Sequence, residues 1–400
     1  MYITQASTLL YYLYSGSNNN ITVTDLDNKY SVEQITIAIK KTILYHHKSL
    51  LYPYSEETLE IKKSIDYNKI WNHAINLVKN GNSDLIAEDL QTCKLDISLG
   101  ENFKIVINST DNVNTIIMSI NHIFCDGTSA FILLLLIKLY LKQNYIQFYF
   151  LSVFNKFDFL WQRKGLNLNI SKDVKFINIP KLSNLEKNNL LVATEQITFD
   201  LDQNQIQKLK KMSFNKFIMA HSLYALSKSC NDTCDEVQLT KLIGLRGRVK
   251  GIGFMRSGEF HTAISYVFHR SRLNNFSQAF DLLNNTLKSD VIDCKAAIES
   301  DLNKYTNQYD VTEHMKKNKN TVPSISVSTF GFREDFSNDF ENIKGYTPFS
   351  VGSQPKFIIF SGCINNKLLI SFAYNPNHYR HERQTFLLLL QDSIKKYLSN

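Results

Sequence analysis

Hydrophobic positions along this chain change their spacing from segment to segment, and the changes mark its elements. Residues 113–120 (VNTIIMSI) form a near-continuous apolar run of strand length and predict a buried strand. Residues 102–107 precede it across a polar stretch at 108–112, the pattern of a hairpin. A second run, 130–141 (AFILLLLIKLYL), predicts a helix buried on most sides, with Thr128 as its N-cap. Upstream, Ser31-Val-Glu-Gln34 has the spacing of a capping box, and 32–47 then repeats apolar residues at helical intervals.

Past the second run, 145–161 is rich in aromatic residues, which predicts core or covering-loop packing or the wall of an apolar acceptor pocket. Periodicity fades over 162–189, where Asn, Lys and Ser dominate, and this stretch is expected to connect two lobes. Beyond it the pattern predicts strands at 191–201, 236–245, 323–332, 356–363 and 367–374. Helices are predicted at 204–212, 214–228 and 383–398, with a polar, exposed helix at 302–320. Strands and helices interleave in both halves and no repeat of fixed period recurs, so the fold class is α/β with two similar layered units. The expected division is an N-terminal lobe over 1–175 and a C-terminal lobe over 190–400.

Composition narrows the function classes. The chain has 400 residues, 44% of them hydrophobic, with few Gly and Pro, so it can bury a large core. Its formal charge of +8 favours anionic ligands, such as a phosphorylated co-substrate or an acidic carrier protein. The densest basic run, Lys208-Leu-Lys210-Lys211, reads as one solvated helix face, so no nucleic-acid partner is expected. The cysteines are Cys93, Cys125, Cys230, Cys234, Cys294 and Cys363. They are scattered and lack zinc spacing, so no metal is expected and reduced thiols are the default. No stretch reaches the roughly 20 apolar residues of a membrane span. The N-terminal segment lacks a signal-peptide pattern. A cytoplasmic location is the expectation.

One segment carries candidate chemistry. Ser119-Ile-Asn-His122-Ile-Phe-Cys-Asp126-Gly127-Thr-Ser129 places a histidine at the end of the predicted strand, four residues before an Asp-Gly pair that leads into the predicted helix. Histidine titrates near ~6.5 and can take a proton at neutral pH. Asp-Gly is able to make a tight turn. Cys125 is expected to be a small apolar filler in this loop, and His46-His47, which no Asp-Gly follows, to be structural.

This segment resembles the signature of the chloramphenicol-acetyltransferase-like acyltransferases, His-His-x-x-x-Asp-Gly. That superfamily includes the plant-type BAHD enzymes, alcohol acetyltransferases, polyketide-associated acyltransferases and the condensation domains of peptide synthetases. The second His, the Asp and the Gly are present as His122, Asp126 and Gly127, whereas Asn121 stands in place of the first His. Other segments resemble the superfamily in the same order. They are 35–54, 212–229, Gly244-Leu-Arg246-Gly-Arg248, Ser326-Val-Ser328-Thr329-Phe-Gly331, 367–374 and the last helix. The plant-type Asp-Phe-Gly-Trp-Gly motif is absent, which favours the alcohol-acetyltransferase, polyketide-associated or condensation branches.

The resemblance implies two lobes, each a mixed sheet with flanking helices, with an active-site channel between them. It implies acyl transfer from a thioester, either acyl-coenzyme A or an acyl carrier protein, to a hydroxyl or amine acceptor. His122 would be the general base, in a direct attack that needs no acyl-enzyme. Asp126 would pair with Arg246, or with Arg248 as the fallback, and Gly127 would leave room for the substrates at the base. Neither Ser328 nor Thr329 is assigned as oxyanion stabiliser, and no cofactor-binding residue is assigned. No resident cofactor is expected beyond the thioester co-substrate. A stand-alone condensation-type enzyme using a carrier protein stays open, and so does a non-catalytic binding relative, because of Asn121.

Overall fold

The computed structural model describes residues 19–27, 29–53, 66–93, 95–122, 124–154, 193–230, 234–244, 246, 261–287, 292–293, 296, 322–333, 341–346, 357–374 and 380–399. The first half runs β1 (Asn19–Asp27), α1 (Val32–His46), α2 (Tyr67–Ala74), β2 (Ile75–Lys79), α3 (Ser83–Thr92), β3 (Phe103–Ser109), β4 (Val113–Asn121), α4 (Gly127–Leu141) and α5 (Tyr145–Phe154). The second half begins with β5 (Ala193–Asp200), α6 (Gln203–Lys211), α7 (Phe214–Ser229), β6 (Glu236–Gly244), β7 (His261–His269) and α8 (Phe276–Thr286). It ends with β8 (Ser324–Arg333), β9 (Glu341–Tyr346), β10 (Phe357–Ile364), β11 (Lys367–Tyr374) and α9 (Arg380–Ser399). The helix expected at 302–320, the connection at 162–189, the end of the aromatic stretch past 154 and Arg248 lie outside the described residues.

Among the described residues the strands form two mixed sheets, ordered β2-β3-β4-β1-β9 and β5-β11-β10-β8-β6-β7. Parallel pairing joins β2 to β3, β8 to β10 and β6 to β8, and the other neighbours are antiparallel. The architecture is α/β, with two sheets and flanking helices. The first sheet is completed by β9, which comes from the second half of the chain.

Local sequence explains the elements that set the site. In α1 the Ser31 side chain accepts from the Gln34 amide while the Gln34 side chain accepts from the Ser31 amide, closing the capping box. Ile35, Ala38, Ile39, Thr42 and Ile43 then recur on one face and are buried. Strand β4 is covered on both faces, which is why its sequence does not alternate. Ile116, Met118 and Ile120 join the core under α1 and α4, while Ile117 packs the other way, with Ile21, Val106 and Leu90. Helix α4 is buried nearly all round, as its run of Leu and Ile demands.

The second sheet also has two occupied faces. Phe357, Ile359, Leu368, Ile370 and Phe372 pack with α7 and α9 in one core. The opposite face carries Phe330, Phe360, Ile364 and Leu369 into the core of the first lobe. There Phe131 of α4 stacks on Phe360 with ring centroids 5.7 Å apart and lies 4.7 Å from Phe330. Such aromatic contacts contribute about 0.5–1.5 kcal/mol each beyond their buried area. The two lobes are therefore joined by packed core at α4, directly beside the motif. Among the described residues no helix is long and apolar enough to cross a membrane.

Candidate active site

The motif begins where β4 ends. The Asn121 amide donates to the carbonyl of Asn102, 2.9 Å away, and is the last rung of the strand. The chain then turns tightly: the Phe124 amide donates to the Asn121 carbonyl at 3.0 Å and the Cys125 amide to the His122 carbonyl at 3.4 Å. His122 sits inside this turn and is 6% exposed. Cys125 is fully buried, in keeping with its size and apolar character.

Two expectations are corrected here. The turn spans 121–125 and precedes the Asp-Gly pair, which itself opens the helix. Helix α4 starts at Gly127, so its N-cap is Asp126 and not Thr128. A carboxylate caps better than a residue two positions inside the helix, because its oxygen can reach an otherwise unpaired amide of the first turn. Asp126 Oδ1 accepts from the Ser129 amide at 2.8 Å.

The other carboxylate oxygen meets the second lobe. Arg246, two residues past β6, donates from Nη1 to Asp126 Oδ2 at 2.5 Å and from Nη2 to Ser129 Oγ at 2.6 Å. Arg246 and Asp126 are 6% and 7% exposed, so the pair is buried. Burial alone would push the Asp126 carboxyl up. The Arg246 charge and hydrogen bond, the Ser129 amide and the field of His261 outweigh it and hold the carboxyl below its ordinary range. Asp126 is thus committed to the helix cap and to Arg246.

Gly127 has an unexceptional backbone, with φ outside the left-handed region. Its lack of a side chain matters for another reason: a Cβ there would sit 3.1 Å from Phe360 Cε2 of the facing lobe. Glycine lets the two lobes close at the start of α4.

Two more residues complete the surroundings: His47, expected from the sequence to be structural, and His261, which the sequence reading did not single out. His47 lies beneath the turn and donates from Nε2 to the Phe124 carbonyl at 2.9 Å. Its burial lowers its pKa from 6.5 to about 4, so it is a neutral hydrogen-bonding prop. His261, the first residue of β7, pairs in register with Gly244, two residues before Arg246. Its ring centroid lies 5.6 Å from that of His122, edge to face. No motif surrounds His261 in the sequence; only the β6–β7 register brings it to His122.

Ser328 and Thr329 lie on β8, where Ser328 pairs with Phe360 and the Thr329 hydroxyl donates to Asn215 Oδ1 of α7. The structure thus gathers His122, Asp126, Gly127 and Arg246 at one place on the seam between lobes, and ties Thr329 to α7.

No protein-family model matches the chain. No curated protein matches it either. Solved structures do match over nearly its whole length. The starter condensation domain of rhizomide synthetase in complex with C8-CoA superposes with a TM-score of 0.59 and 11% identity, covering 98% of this chain and 95% of that one. The first condensation domain of the calcium-dependent antibiotic synthetase, in complex with a substrate analogue, gives 0.59 and 9%, covering 97% and 94%. Polyketide synthase associated protein 5 from Mycobacterium tuberculosis gives 0.57 and 13%, covering 96% of both chains. At such low identity the likeness establishes the fold: this chain has the two-lobed, chloramphenicol-acetyltransferase-like fold of condensation domains.

Proposed function

We propose that this protein transfers an acyl group from a thioester to a hydroxyl or amine, with His122 as the general base. The observation that carries the reading is the placement of His122. It directly follows strand β4 at the seam of the two lobes, while the neighbouring Asp126 is turned to the helix cap and Arg246. A base on a fixed frame can receive the acceptor's proton as its oxygen or nitrogen attacks the thioester carbonyl. The new C–O or C–N bond forms, the C–S bond breaks, and the proton leaves with the thiol. No acyl-enzyme is required, and substrates meeting at one base from opposite ends of a channel between the lobes would be held in reacting geometry.

The thioester would be acyl-coenzyme A or an acyl group on a carrier protein. A coenzyme A thioester is supported by one structural neighbour, a condensation domain in complex with C8-CoA. Asn121, in the place of the signature's first histidine, supports a second reading: a relative that binds without turnover.

One assay separates these. The protein is incubated with acyl-coenzyme A or an acyl-loaded carrier protein, with and without small alcohols and amines, and released thiol is followed. Acceptor-dependent release is expected, and His122→Ala should reduce it at least a hundredfold, within the ~10²–10⁴ range of such groups. Near-wild-type turnover in His122→Ala would remove the general-base role, and absence of turnover with every donor would favour the binding relative.

A further inference from the structure

Strand β8 carries one residue more than its neighbour β10. Ser361 pairs with Thr329 and the next residue, Gly362, pairs with Gly331, so Phe330 is left over as a bulge. Gly331 has φ +72°, a backbone angle that glycine adopts without strain. The extra residue resets which way the side chains point. Thr329 and Phe332, three apart, both reach α7, at Asn215 and Phe214, whereas Phe330 between them turns to the core of the first lobe. We propose that Phe330 is a positioning residue of the site: its ring is a wedge that sets the spacing of the lobes at the start of α4, and so keeps Asp126 within reach of Arg246 behind the turn that carries His122. Its consequence for turnover rests on the proposed acyl transfer; the wedge itself does not.

The ring has a seat made for it. A Cβ on Gly362 would lie 1.9 Å from Phe330 Cε2 and 2.1 Å from its Cζ, so the ring rests directly on the glycine backbone. From there it meets Phe131 of α4 with centroids 4.7 Å apart and Phe360 of β10 at 5.1 Å. Phe360 in turn stacks on Phe131 and bears on Gly127, four residues earlier on the same face of α4. The three rings and the two glycines form one packed column across the seam, and α4 approaches β10 only as closely as the column allows. Asp126, the N-cap of α4, reaches Arg246 of the other lobe at 2.5 Å. A shift of about one ångström would stretch that contact to the limit of a hydrogen bond. Ile364 and Leu369 also enter this core, so a change at Phe330 or Gly362 should displace the seam without separating the lobes.

The test reads the seam first and turnover second. In the full-length protein, nitroxide-bearing amino acids are placed at Glu88 on α3 and Lys396 on α9, both exposed, and the distance between the lobes is measured by double electron–electron resonance. In Gly362→Ala the Phe330 ring must move about 1.5 Å to reach the ordinary contact distance of 3.4 Å, so the distance distribution should shift or broaden by about 1–2 Å in a close-packed seam. Acceptor-dependent thiol release should lose about ten- to a hundredfold in kcat per folded molecule, the usual effect of misplacement on this scale, with KM nearly unchanged because the ring touches the lobes and not the substrate. In Gly362→Ala/Phe330→Ala the clash is gone, so the double variant should match Phe330→Ala alone in distance and in kcat. Phe330→Leu, a smaller change, should broaden the distribution and lower kcat in the same sense, which keeps the test decisive even if Gly362→Ala folds poorly. A wild-type distance in Gly362→Ala and Phe330→Leu, additive losses in the double variant, or a raised KM at unchanged kcat would overturn the proposal. A protein whose seam responds as described but which transfers no acyl group in any form would instead sink the acyl-transfer reading alone.

Discussion

Asp126 and Asp293 are both buried carboxylates held by a cation, and the contrast between them separates what burial does from what position does. Asp126 links the lobes: the planar Arg246 fork binds its Oδ2 and also reaches Ser129 Oγ, while its Oδ1 caps α4. Asp293 lies within the second lobe. Its Oδ2 is 2.9 Å from Lys241 Nζ, and its Oδ1 accepts from the Tyr266 hydroxyl at 2.8 Å. Lys241 shares the inner face of β6 with Val237, Leu239 and Ile243, so this pair staples chain beyond α8 to the β6–β7 ribbon. Burial, and then the bond to Asp293, push the Tyr266 hydroxyl above the ordinary tyrosine range, which keeps it a donor. Both carboxylates are buried and paired with a buried cation. Only Asp126 stands four residues from His122.

Removing either carboxylate strands a buried cation, which typically costs about 3–5 kcal/mol. Asp126→Ala and Asp293→Ala should therefore show comparable losses in denaturant melts. Their activities should diverge. Per folded molecule, Asp293→Ala should keep its acceptor-dependent thiol release and Asp126→Ala should lose most of it, because the turn carrying His122 loses its anchor. Equal activity losses in the two variants would erase the distinction.

Milder changes sharpen the same contrast. Arg246→Lys replaces a fork with a point charge that cannot serve both Asp126 and Ser129. Tyr266→Phe leaves Asp293 Oδ1 without its phenol. Each should cost roughly 1–3 kcal/mol, the usual range for a lost partner of a charged group. Arg246→Lys should also slow turnover, while Tyr266→Phe should change the melt alone.

How far the sequence disclosed these sites differs between them. His122, Asp126 and Arg246 stood in a recognisable order, and the buried run of β4 and the apolar α4 framed them. The pairing partner of a carboxylate is still a tertiary fact: Arg246 was matched by resemblance, whereas Lys241, Asp293 and Tyr266 carried no local signal at all. His261 went unnoticed for the same reason, since register across β6 and β7 decides what it faces. Strand β9 is short and polar, and its place in the first sheet could not be read from residues that lie 314 or more positions from β1 in sequence (341 − 27 = 314). The α4 cap was assigned two residues late because Thr and Asp both serve as N-caps, and only the helix's true start distinguishes them.

The smallest effect at neutral pH is expected at His47, and it appears only on acidification. The seam pair has His47 behind it, interacting with both Arg246 and Asp126. The folded protein holds His47 at about 4 against 6.5 for the ordinary ring. Between those values the unfolded chain binds the proton and the folded one does not, so stability is fully present above about pH 6.5 and is lost as pH falls through about 4. A shift of that size corresponds to roughly 3 kcal/mol when integrated over the window. His47→Gln keeps an N–H for the Phe124 carbonyl but cannot titrate. It should cost little near pH 7 and flatten the fall in stability between those two pH values, leaving the part due to His46, which burial also lowers to about 4. Asp126, held below its ordinary range, keeps its contribution down to the usual carboxylate pKa and loses it only at more acidic pH, so the two steps separate. Denaturant melts of wild type and His47→Gln across this range would check it. Parallel curves would mean that His47 is protonated in the folded state as readily as in the unfolded one, and that it does not serve as a neutral prop beneath the turn that carries His122.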